Sequence, residues 1–79
     1  MNNIEADKML HHLTVIFADI LQIITDKYVK NDLAIPEDVL KLKDEACNII
    51  GKAADIQQSR VLAEYGQRLI GIREVLLPR

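Results

Sequence analysis

The chain has no tryptophan, one phenylalanine and two tyrosines in 79 residues. So few flat rings leave little on which to stack bases. Its one cysteine, Cys47, excludes an intrachain disulfide. There is no CxxC pair and no Cys/His cluster, so a reducing, cytoplasmic setting is expected. Three glycines and two prolines leave no Gly-rich phosphate loop, no linker and no low-complexity stretch. GxSxG and HExxH are also missing. The N-terminus lacks the basic segment of a signal peptide. The most apolar stretch, 13–24, is short for a bilayer and carries Asp19.

Length and apolar content set the class. Hydrophobic residues make up 49% and charged residues 28%, which speaks against disorder. A chain of this size forms one domain, residues 1–79, with a small core and a thin stability margin. The formal net charge is −2. Residues 1–51 carry five lysines against nine acids, and all four arginines lie in the last twenty residues. That is a mild dipole and not the dense basic patch that phosphate binding uses.

Phase predicts three helices, at about 4–30, 37–53 and 56–76. Placed ~100° apart per residue, Ala6, Met9, Leu10, Leu13, Ile16, Phe17, Ile20, Leu21, Ile23, Ile24 and Tyr28 fall in one arc of ~160°. Asn2 with Glu5 has capping-box spacing, and Asn31 is placed to cap the far end. Pro36, Glu37 and Asp38 make a helix start. The second stripe is Val39, Leu42, Ala46, Ile49, Ile50 and Ala53, with Leu40, Cys47 and Ala54 at its edge. A single helix from Pro36 to Leu76 would turn this stripe by about 140° relative to the next one. A break near Gly51–Asp55, with Asp55 and Gln58 as a second capping box, removes that conflict. The third stripe, Leu62, Tyr65, Leu69, Ile72 and Leu76, has 3-4-3-4 spacing. It serves as core or as a dimer seam, with Gly66 allowing close approach. The expected fold is all-α: a three-helix antiparallel bundle, or helical hairpin, with one long N-terminal helix, and dimeric.

Candidate chemistry is sparse. His11 and His12 point ~100° apart and cannot share a metal, and Asp7 with His11 supplies two ligands without a third. No metal site and no cofactor are expected. Cys47 reads as core packing rather than as a nucleophile. Asp19 and Asp26 share a helix face but look solvated, unlike catalytic carboxylates. No catalytic residue is expected. A helix-turn-helix with Gln57, Arg60, Gln67 and Arg68 outward is conceivable, although acidity and Arg60–Glu64 pairing point to a solvated face.

The most informative pattern lies on the back of helix one. Ile4, His11, Val15, Ala18, Gln22 and Val29 recur at spacings 7, 4, 3, 4 and 7. They fall within ~60°, opposite the core arc. Scattered exposed apolar residues are ordinary, but a continuous second stripe suits self-association or a partner helix. His11 gives it a protonatable position. In size and helicity the chain resembles small helical accessory proteins of bacteria and their phages: anti-activators, inhibitors, secretion chaperones and connectors. That resemblance transfers no residue. The expected function is a non-catalytic protein–protein interaction module, a homodimer that binds and modulates a larger protein. The alternative is a small transcriptional or nucleoid regulator touching nucleic acid. Membrane contact is not expected.

Overall fold

Helix α1 spans Ile4–Ile24 and continues directly into a π-helical turn, Thr25–Val29. In a computed structural model of the protein, which describes residues 4–77, α2 follows at Glu37–Ala53 and α3 at Ser59–Leu76. Helix accounts for 82% of the structure, and no strand occurs among the described residues. Asn2, expected to cap α1, lies outside the described residues.

The local causes are readable. At the end of α1 the Asp32 backbone has φ 54°, a left-handed conformation that aspartate tolerates. The Leu33 N–H then donates to the Tyr28 carbonyl at 2.8 Å and the Asp32 N–H to that of Val29 at 3.2 Å. This double closure is a Schellman motif. The Asn31 side chain adds to it, donating to the carbonyls of Asp26 and Lys27 at 3.1 and 3.0 Å. Lys27 meanwhile lies over the Tyr28 ring, 5.5 Å from its centre. The fixed φ of Pro36 sets up α2, and the Leu40 N–H donates to the Pro36 carbonyl at 3.0 Å.

The chain breaks within the expected Gly51–Asp55 interval, and one detail there needs correction. Gly51 does not break the helix. It sits in α2, exposed, with open space where a side chain would be. The chain turns later, at Ala54–Asp55, and runs without helix through Gln58. The Asp55–Gln58 capping box does not form as such a box. Gln58 is the residue before α3 and makes no side-chain cap. The Asp55 N–H instead closes back on the Lys52 carbonyl and the Ile56 N–H on that of Ala53.

The core is one cluster drawn from all three helices. Leu13, Ile16 and Ile20 of α1, Ala46 and Ala53 of α2, and Leu62 and Leu69 of α3 are at most 1% exposed. α1 packs more extensively on α3 than on α2. Gly66 explains the closeness: a Cβ there would stand 3.1 Å from Leu13 Cδ2. Contacts Leu13–Gly66 and Asp19–Arg73 rise together along both helices, so α1 and α3 run in the same direction. Glu45 meets Arg68 at 2.7 Å, while Val39 and Leu76 line one cavity. α2 therefore runs against α3.

The α1 arc is narrower than its pattern suggests. Ala6, Leu13, Ile16, Ile20 and Ile24 are buried, while Met9, Leu10, Phe17, Ile23 and Tyr28 are half-buried flanks. Leu21 is 37% exposed. Two neighbours cover less than the full arc, so residues at its edge stay wet.

Candidate functional surface

The α3 seam belongs to the core of the single chain. Leu62, Leu69, Ile72 and Leu76 are buried against α1 and α2, and Tyr65 is half-buried. None of its five positions remains as an open seam for a second chain. The close approach that Gly66 permits is made by Leu13 of the same molecule.

The back of α1 is different. Ile4, His11, Val15, Ala18, Gln22 and Val29 are all exposed. The first, third and last keep 55%, 45% and 59% of their surface. The π turn modifies the stripe at its far end. A π turn holds one residue more than an α turn, so the chain beyond Ile24 is set back by about one ~100° step. Tyr28 packs against the core, and Val29 stays exposed. The Gln22 amide donates to Asp26 Oδ1 at 2.8 Å, and Lys30 Nζ reaches the same oxygen at 2.8 Å. These hydrogen bonds, Lys30 first and then Gln22, hold the Asp26 carboxyl below its ordinary value of 3.8. Nothing in the sequence pattern announces a π turn.

Two charged residues also differ from their sequence reading. Asp19 is not simply solvated: it accepts from Arg73 at 3.3 Å and ties α1 to α3. Arg68, one of the outward residues of the helix-turn-helix alternative, donates to Glu45 at 2.7 Å and ties α3 to α2. The face is thereby partly neutralised.

Cys47 departs from expectation as well. It is exposed. Ala46, 0% exposed, occupies the inward position one residue before it. The next residue turns ~100° away, which carries the thiol out of the core. Among the described residues no group of three His, Cys, Asp or Glu side chains could hold a metal ion. No buried polar or charged side chain occurs there either.

One property of α1 is ambiguous by composition. The continuous run Ile4–Val29 is long and apolar enough to cross a membrane. The stretch 13–24 is only the apolar centre of that run. The same helix supplies Leu13, Ile16 and Ile20 to the core.

No protein-family model, no curated protein and no solved structure matches the chain. The residues themselves carry the functional argument.

Proposed function

We propose that this protein is a non-catalytic, cytoplasmic interaction module, dimeric in solution, that binds a larger protein and modulates it. In this reading the three helices act as an antiparallel bundle whose purpose is to hold α1 rigid with one face free. The observation that carries the reading is the exposed line Ile4, His11, Val15, Ala18 and Gln22. It lies opposite the buried residues of the same helix. Apolar side chains on the far side of a core helix add nothing to the fold, yet they offer a partner helix a groove-and-ridge surface. Charges at both ends of the stripe orient what docks there. Inhibitor, anti-activator, connector and chaperone roles all use such a face.

Val15→Lys tests the reading. The wild type and the variant are immobilised in parallel and exposed to extract of the native host. A protein retained by the wild type and lost on the variant is then purified and titrated against both. The expected result is a stoichiometric complex with the wild type only, because an unpaired lysine buried in an apolar contact costs several kcal/mol. Equal retention by both would contradict it. Steeply salt-dependent retention on heparin or duplex DNA would favour the nucleic-acid alternative instead.

A further inference from the structure

Where α1 gives way to the π turn, the three helices leave a cavity of about 200 Å³ between them. Its deepest lining takes one core residue from each helix, Ile24, Val39 and Leu76. These keep 4%, 7% and 7% of their surface, whereas Ile20, Ala46 and Leu69 of the same core keep none. Leu42 adds a half-buried aliphatic wall. At about 30 Å³ per water molecule the space equals roughly seven waters, but water needs polar partners that aliphatic walls do not supply. An aliphatic cavity of about 150 Å³ takes up a benzene-sized guest instead. Pockets for drug-sized ligands run from roughly 300 Å³ upward, so the guest that fits here is small.

The rim of the cavity is charged. Lys27 and Tyr28, both in the π turn, line it together with Asp38 of α2. Lys27 Nζ lies over the Tyr28 ring, 5.5 Å from its centre, which keeps the ammonium beside the opening. Lys30 is taken by Asp26 at 2.8 Å, while Lys27 makes no ion pair among the described residues. Asp38 is engaged within its own helix. Its Oδ1 accepts from the Val39 N–H at 3.0 Å, in the first turn of α2, where the helix dipole offsets negative charge. The cation is thus free to meet a ligand and the carboxylate is partly occupied. The π turn is a second pointer to the same place. Such turns are rare and occur frequently at functional sites, and this one supplies both Lys27 and Tyr28 to the rim.

We infer that this cavity is a binding site for a small amphipathic carboxylate, its aliphatic tail on Ile24, Val39, Leu42 and Leu76 and its carboxylate on the Lys27 ammonium. An apolar hollow with a few placed polar groups is the usual form of a small-molecule site. The tail gains by leaving water. The carboxylate gains a charge-assisted hydrogen bond. So few atoms give a weak complex, with a Kd on the order of millimolar. The inference goes beyond the interaction-module reading and does not depend on it. Val15 does not line the cavity, so Val15→Lys leaves the cavity intact, and either reading can fail without the other.

Methyl NMR of the full chain tests the inference, with hexanoate, hexanol and hexylamine as probes, each titrated to about 20 mM. The expected result is a set of saturable shifts at the methyls of Ile24, Val39, Leu42 and Leu76, with hexanoate bound several-fold tighter than the other two. Lys27 is exposed, so Lys27→Ala should stay folded, which circular dichroism verifies. It should weaken hexanoate roughly three- to tenfold and leave it no better than hexanol. Leu42→Phe fills the cavity and should remove the saturable shifts; if that variant does not fold, Lys27→Ala carries the test alone. Hexanoate that produces no saturable shift at these methyls would overturn the inference. So would hexanol or hexylamine binding as tightly as hexanoate, a preference for hexanoate that survives Lys27→Ala, or unchanged hexanoate binding in a folded Leu42→Phe.

Discussion

On one side of α1, Leu13, Ile16 and Ile20 are 1%, 1% and 0% exposed; on the other, Ile4 and Val15 keep 55% and 45%. Both sides are aliphatic and both recur at helical spacing. The inner side faces α3 across Gly66, close enough that even one added carbon would press on Leu13. The outer side faces nothing in the chain. Burial of aliphatic surface explains the first completely and the second not at all. The contrast separates what holds the fold from what is left for a partner.

The largest expected effects lie on the inner side. Ile20→Ala and Leu69→Ala each remove side chains that are 0% exposed. Each should cost about 2–5 kcal/mol, counting lost transfer energy and residual cavity. In a domain of this size that is enough to lower the melting temperature by ten degrees or more, or to prevent folding. Thermal melts followed by circular dichroism check it. A variant melting within a degree or two of wild type would mean that the inner side is misplaced.

Glycines sharpen the same comparison at about 1 kcal/mol. Gly51→Ala adds a methyl in open space within α2 and should stabilise by roughly 0.5–1 kcal/mol through helix propensity. Gly66→Ala gains the same propensity but drives its Cβ to 3.1 Å from Leu13 Cδ2. Leu13 is 1% exposed and has nowhere to go, so the net change should be destabilising by about 1 kcal/mol. Opposite signs in chemical denaturation are the expected outcome. Equal signs would show that the α1–α3 contact is looser than described.

Smaller effects belong to the rim. Arg73→Ala removes the Asp19 pair that bridges α1 and α3. An ion pair at the surface contributes roughly 0.2–1 kcal/mol, and the loss should shrink as salt is added. Asp26 on the outer side gives the smallest signal. Its folded carboxyl is held below its ordinary value by Lys30 and then Gln22. A depressed carboxyl favours the folded state above the unfolded value, and that contribution fades as pH falls through the folded one. Lys30→Ala should move the Asp26 titration, read by NMR, back up towards 3.8. An unmoved titration would mean that the Lys30 contact does not persist in solution.

Much of the architecture was legible because periodicity is a direct record of burial. α2 appears at the expected residues, and Leu62, Leu69, Ile72 and Leu76 face inward as their spacing implies. Features set by contacts between distant residues were not legible. The π turn leaves no composition signature. Cys47 and Leu21 sit at stripe edges, where only the position of the neighbouring helix decides exposure. Asp19 and Arg68 read as solvated charges because their partners, Arg73 and Glu45, lie 54 and 23 residues away in the chain. The outer stripe was visible in the sequence, and its residues lie exposed on α1.

The central claim is that the outer side of α1 is the proposed contact surface, distinct from the fold. Sedimentation velocity of wild type and Val15→Lys over a range of concentrations tests it most directly, since mass and shape are read in one run. A surface substitution should shift stability by no more than ~0.5 kcal/mol, so the variant should remain compact. The account predicts that the wild type passes from 9.0 kDa to twice that mass as concentration rises, while the variant stays at the monomer mass. A Val15→Lys protein that dimerises as well as wild type, or one that sediments as an expanded chain, would contradict it.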